Sequence, residues 1–207
     1  LEEFCEARHI HLSLPSLRAD SFSMDLMQRL QKGRKSGLTF APEAGTQRLR
    51  DAINKNVTEE DLLQSCRTAF SGGFNAVKLY FMLGLPTETD EDILGIAEIA
   101  AHVMHVWRES ASNKNRGVRI TVSTSWFVPK PFTAFQWEPQ ISLEEYQRRV
   151  KLLRQAITTK TVTYNWHDGD TSFLEAVLAR GDRRMGKVLE LAWRKGAKLD
   201  AWEEYFS

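Results

Sequence analysis

The residues best placed to do chemistry lie at two strand ends. Leu79 to Leu83 is an apolar run that stops at Gly84, crosses Leu85-Pro86 and opens a helix at Thr87 or Thr89, with Glu88, Asp90, Glu91 and Asp92 around it. A buried strand, a short loop and a helix start make the βα unit of a parallel sheet, and ligands sit beyond the carboxyl ends of such strands. Upstream, Gly37 to Ala41 runs into Pro42-Glu43-Ala44-Gly45 and a helix from Thr46, a second unit of the same form. Glu43 there offers a polar side chain at a strand end, or else an acid that complements the N–H groups of the following helix. The acids after Thr87 have the same plain alternative, a capped helix start.

The other reactive side chains fit structural roles better. His102 and His105, three apart in a helical pattern, form a metal pair in principle. They have no third ligand nearby and fall on a helix expected to face outward, so they read as surface or partly buried histidines. His9 and His11 share one face of a strand and suit packing, or support behind a site, better than direct contact with a substrate. Cys66 falls in the apolar rhythm of a helix, which suits a small buried hydrophobe rather than a nucleophile. Cys5 and Cys66 are far apart and form neither a disulfide framework nor a CxxC metal pair, so a reducing cytoplasm is the expected compartment.

The elements that must position these residues alternate along the chain. Strands are expected over His9 to Leu14, Gly37 to Ala41, Phe74 to Leu83, Val118 to Val128 and Thr161 to Trp166. Helices are expected over Ser23 to Lys32, Thr46 to Ile53, Thr58 to Phe70, Glu91 to Ser110 and from Ser142 to Ile157. Thr58 with Asp61 three residues on reads as a capping box with Asp in place of Glu. Pro129 to Pro139 is an aromatic, proline-punctuated loop, and Asp170 to Ser207 is helical with breaks at Gly181 and Gly196. Strict alternation of strand and helix argues a parallel sheet with right-handed crossovers.

Composition sets the outer bounds. The 207 residues, 42% hydrophobic and 27% charged, can bury a sizeable core as an ordinary soluble globular protein. A formal net charge of +1 gives no electrostatic footprint for nucleic acid. No apolar run reaches the roughly 18 residues that would suggest a membrane-spanning helix. The start at Leu1, without Met, is what a piece of a longer polypeptide would show.

Taken together, the segments Gly37 to Lys55, Val57-Thr58-Glu59-Glu60-Asp61 and Gly73 to Leu83, followed by Gly84-Leu85-Pro86-Thr87-Glu88-Thr89, resemble the later strands of a radical S-adenosylmethionine (SAM) enzyme barrel. Phe127 to Trp137 and Arg180 to Arg184 are similar to a bacterial group of uncharacterised radical SAM proteins with an N-terminal cobalamin-binding-like domain. The resemblance implies an α/β fold: a partial TIM-like barrel, about strands three to six, over residues 1–166. A helical C-terminal extension over 167–207 would follow. It implies that Glu43 contacts the SAM ribose or methionyl group and that Gly45 lets backbone approach the ligand. The strand containing Tyr80, Met82 and Gly84 would flank the adenine, with Phe127 and Val128 as apolar contacts at the end of the next strand. Lys55, or Arg48 and Arg50, would pair the SAM carboxylate.

In the parent, such a barrel uses a 4Fe-4S cluster and SAM to generate a 5′-deoxyadenosyl radical, and the resemblance also admits cobalamin. The cluster is held by three cysteines in a CxxxCxxC loop, and iron–sulfur clusters need thiolate ligands. This chain has two cysteines and no such loop, so it reads as a fragment that neither binds the cluster nor cleaves SAM. Its partners would be SAM and the rest of the parent polypeptide. The exposed edges of an incomplete sheet would also favour self-association. A non-catalytic α/β binding module is the rival reading. It would use the loop Phe127 to Trp137 and the aromatic end containing Trp193, Trp202, Tyr205 and Phe206, although burial of that end against the barrel is preferred. A methylthiotransferase-like enzyme acting on RNA or protein is the third.

Overall fold

The computed structural model describes residues 38–115 and 117–197. Strand β1 spans Leu38–Glu43 and is followed by helices α1 (Gln47–Ala52) and α2 (Glu59–Ser71). Strand β2 (Ala76–Leu83), helix α3 (Asp90–Ser110) and strand β3 (Arg119–Trp126) come next. Helix α4 (Leu143–Ala156), strand β4 (Val162–Trp166) and helices α5 (Gly169–Arg180) and α6 (Met185–Arg194) complete the described chain. The expected strand over His9 to Leu14 and helix over Ser23 to Lys32 lie outside the described residues.

The four strands form one sheet in the order β1-β2-β3-β4, every pair parallel. This is the α/β alternation of a partial β/α barrel. Burial alternates along the strands, as a pleated backbone requires. Val77, Leu79, Phe81 and Leu83 of β2 and Ile120, Val122 and Trp126 of β3 are buried in the main core with Ile93, Ile96, Ile99 and Val103 of α3. Tyr146 of α4 stacks on Trp126 with ring centroids 4.9 Å apart and planes 5° from parallel. Its hydroxyl donates to His167 O at 2.8 Å, which ties α4 to the residues after β4.

The helix starts follow their local chemistry. Thr58 Oγ1 accepts from Asp61 N at 3.1 Å, and the Asp61 carboxylate accepts from Thr58 N at 2.9 Å, completing the expected capping box. Ser142 accepts from Glu145 N and caps α4. Of the two threonines that might open α3, Thr89 does so, paired with Asp92. Cys66 of α2 is fully buried, and burial pushes its thiol up to about 12. In the native state at pH 8, iodoacetamide should therefore leave Cys66 unmodified, and denaturant should release it to full labelling. Peptide mass mapping reads both, and native modification at the unfolded rate would contradict the packing.

One packing expectation fails. The sequence places Trp193 against the barrel, yet it is 77% exposed, and Leu189 and Leu191 are exposed as well. The cause is that α6 buries only Ala192, so its larger apolar residues point away from the described core. His102 and His105 are exposed, as expected, and each sits against a carboxylate: His102 Nδ1 is 2.6 Å from Glu59 and His105 Nε2 is 3.2 Å from Glu109. No described helix is long and apolar enough to cross a membrane.

Candidate functional site at the carboxyl end of the sheet

The end of β1 is irregular in a way its residue types do not announce. The register with β2 runs from Phe40 opposite Leu79 to Glu43 opposite Phe81, so β1 uses one residue more than its neighbour. Such a bulge re-aims the side chain that follows it. Glu43 itself has φ 70°, in the left-handed region that side-chain-bearing residues rarely occupy. A conformation of that kind costs about 1–3 kcal/mol and tends to occur at functional sites.

Helix α1 then brings a cation back to the same place. It ends at Ala52 with Ile53 as its C-cap, after which Asn54 takes φ 55°, a conformation Asn tolerates well. Lys55 N donates to Arg50 O at 2.8 Å, and Lys55 Nζ donates to Glu43 Oε1 at 3.3 Å. Both side chains keep partial contact with solvent, 26% for Glu43 and 32% for Lys55, so the pair stays open to a ligand.

The two arginines offered as alternatives to Lys55 are committed to the framework. Arg50 is 1% exposed and donates to Ala44 O at 2.9 Å and to Gln47 Oε1 at 3.2 Å. Burial pulls its pKa down, against the attraction of Glu59 and Asp51. Arg48 pairs with Asp92 and donates to Thr87 O at 2.9 Å. Asp92, 2% exposed, is the hub of this corner: it accepts from Thr46 and Arg48, from Thr89 N at 2.8 Å and from Thr89 Oγ1 at 3.0 Å. Burial opposes its ionisation, but the donors of Thr46, Thr89 and Arg48 outweigh that and hold the carboxyl below the usual aspartate range.

The close approach that Gly45 permits is made to helix α3. A Cβ on Gly45 would lie 2.0 Å from Asp92 O and 2.6 Å from Ile96 N, and one on Gly95 would lie 2.7 Å from Gly45 O. Facing glycines thus let the β1–α1 loop lie directly on α3. Gly84, at φ 87°, makes the turn after β2, and a Cβ there would also press on Ile141 at 2.9 Å.

Glu88 has a part that sequence reasoning missed. By residue type it reads, with its neighbours, as an acid complementing the α3 dipole. Its carboxylate instead turns back to accept from Gly84 N at 2.7 Å, and it pairs with Arg149 of α4. The side chain is 1% exposed, and that burial pushes its pKa up despite both donors. The Gly-Leu-Pro-Thr-Glu segment is therefore a self-closed loop clamped from α4. The spacing of Gly84 and Glu88 was the available signal.

The apolar candidates divide. Phe127 (8% exposed) packs with Ala44, Leu49 and Leu85, and with the half-buried Ile53, Met82 and Phe135, in a small cluster separate from the main core. Its ring meets Phe135 edge-on at 6.2 Å. Met82 and Phe127 are thus brought together beside Ala44, next to the Glu43–Lys55 pair. Val128 is buried just past β3, while Tyr80 stands lower on β2 under the ammonium of Lys78, 4.4 Å from its ring centre. Phe132 and Trp137 take no part, being 97% and 85% exposed. A cavity of about 410 Å³ exists elsewhere, between α4 and the end of β4, lined by Tyr146, Val150, Arg154, Trp166 and Asp168 among others. None of the residues above reaches it.

The site thus has a polar ion pair and an apolar cluster, both at one end of a parallel sheet. That set suits a ligand with an apolar ring and a charged or hydroxylated end. It does not suit an iron–sulfur cluster: among the described residues the one cysteine is Cys66, buried in α2 with a suppressed thiolate.

Over 187 residues, 90% of its length, the chain is 33% identical to an uncharacterised protein of Methanocaldococcus jannaschii, and it spans 39% of that relative's length. Residues 1–100 match the family model of the radical SAM superfamily. That region contains Glu43, Gly45, Lys55, Tyr80, Met82 and Gly84; Phe127 and Val128 lie beyond it. Over its first 100 residues the chain is similar to the radical SAM superfamily, and the parallel sheet alternating with helices is consistent with a partial barrel of that kind.

Proposed function

We propose that the chain is the later part of the catalytic barrel of a radical SAM iron–sulfur enzyme, holding the adenosyl side of the SAM site. The observation that carries this is Glu43, set at φ 70° by a strand bulge and paired with Lys55 beside Met82, Leu85 and Phe127. In this reading Glu43 accepts from the ribose or methionyl group, and Lys55 exchanges Glu43 for the SAM carboxylate. Met82 and Phe127 face the adenine. Bound SAM supplies a 5′-deoxyadenosyl radical on one-electron reduction, chemistry that belongs to the cofactor. The chain's own residues bind, orient and exclude water. The cluster ligands, and cobalamin if the parent uses it, belong to segments other than this one, and this chain alone neither holds a cluster nor cleaves SAM. The cytoplasm is the compartment that suits it.

Calorimetry with SAM or 5′-deoxyadenosine is the test. Weak binding that disappears in Glu43→Ala is expected. No heat at millimolar ligand would favour the rival, a non-catalytic α/β module that uses Phe132 and Trp137 as contacts. Among the described residues β4 is an edge of the sheet, which supports a further expectation, that the isolated chain associates with copies of itself.

A further inference from the structure

The sheet face opposite the helices is polar across its full width. Register places Thr39, Lys78, Thr121 and Thr163 in one row across the four strands, and Tyr80, Ser123 and Asn165 in the next row towards the carboxyl end. Barrel interiors are ordinarily filled at such positions by Val, Ile and Leu. Among the described residues, the side chains of Thr39, Thr121, Ser123, Thr163 and Asn165 have no hydrogen-bond partner. Lys78 is half-buried, has no carboxylate within ion-pair distance among the described residues, and rests its ammonium over the Tyr80 ring. Ser123 in the middle of the face is only 5% exposed.

Thr163 and Asn165 at the sheet edge are exposed to water, but Ser123 and the half-buried Lys78 are partly withdrawn from it, and a polar or charged group covered by a bound molecule is costly unless that molecule pairs it. An apolar substrate would cover Lys78 and Ser123 without pairing either. Lys78 lies four residues before Met82 along β2, roughly 13 Å at the rise of a strand. A molecule anchored at Lys78 would therefore reach from the floor of the sheet to the candidate SAM end. We infer that this face binds the enzyme's substrate, and that the substrate is an elongated polar molecule with a carboxylate or phosphate at Lys78. Its body hydrogen-bonds Ser123 and Asn165. The inference rests on the barrel reading above for its meaning as a substrate site, but not for the binding itself.

The test uses the full-length protein, with succinate, inorganic phosphate and SAM as separate calorimetric titrants. Wild type should bind one of the two anions, and which one distinguishes a carboxylate from a phosphate substrate. Lys78→Met should weaken that anion by about tenfold or more, the loss of a charge-assisted hydrogen bond. Lys78→Arg should retain most of the affinity, and SAM binding should be unchanged in both. Binding of neither anion at tens of millimolar, or equal anion binding by Lys78→Met, overturns the inference. Parallel loss of SAM and anion would mark Lys78 as structural and overturn it too. Should Lys78→Met fail to fold, Asn165→Leu on the edge strand should still weaken the same anion, and unchanged affinity there would count against the site. If SAM fails to bind wild type while the Lys78-dependent anion signal persists, the barrel reading fails and the anion site stands.

Discussion

Gly45→Ala should destabilise the protein by about 3 kcal/mol, the upper end of what a forced extra methyl costs in a packed interior. The new methyl would fall 2.0 Å from Asp92 O and 2.6 Å from Ile96 N, and both are backbone atoms of α3 that no side-chain rotation can remove. Relief requires α3 to lift away from the β1–α1 loop, and Ile93, Ile96 and Ile99 would then leave a core in which they are at most 1% exposed. Urea unfolding measures the change directly. A shift under 0.5 kcal/mol would mean the loop and helix are less closely apposed than described. Gly95→Ala meets Gly45 O at 2.7 Å and should fail in the same manner, somewhat less severely.

Asp92→Asn is the second large effect, expected to cost about 2–3 kcal/mol at neutral pH through weakened charge-assisted hydrogen bonds. Arg48 is half exposed and can rehydrate, which keeps the loss below that of breaking a fully buried pair. The pH dependence carries the sign. The Asp92 carboxyl is held below its unfolded value, so its contribution is present above about pH 4 and is lost as pH falls through the lower folded value. Wild type should therefore lose stability into the acid range more steeply than Asp92→Asn. Parallel acid limbs in the two proteins would show that another carboxylate carries the dependence.

How much of this could be read from residues alone depends on range. The Thr58–Asp61 box and the Ser142 cap are contacts over three residues, and they form as their types dictate. The alternation of Val77, Leu79 and Phe81 likewise marks β2 and its buried face. The site is less legible because it is assembled across the chain. Arg48, Arg50 and Lys55 are interchangeable as cations on paper. What separates them is that Arg50 is sealed under Ala44, Arg48 is drawn to an aspartate 44 residues away, and only Lys55 returns to Glu43. The left-handed backbone of Glu43 has no sequence mark, since glutamate is a poor choice for it. The aromatic loop divides for the same reason: Phe135 finds Phe127 through tertiary packing, while Phe132 and Trp137, of identical character, find nothing.

Arg180, at the last turn of α5, has a consequence for where the chain can be cut. Its guanidinium donates to Pro129 O at 3.0 Å and to Gln136 O at 2.8 Å, and Lys130 of the same loop pairs with Glu175. The segment after β4 is thereby stitched to the loop after β3, one strand back. A barrel assembled from repeating strand–helix units invites truncation at unit boundaries, and Trp166 looks like one. Cutting there would strip the β3 loop of its anchor and leave Phe127, at the root of that loop, less firmly held. The unit of folding and the unit of repetition do not coincide in this chain, and the shortest piece worth expressing runs through α5.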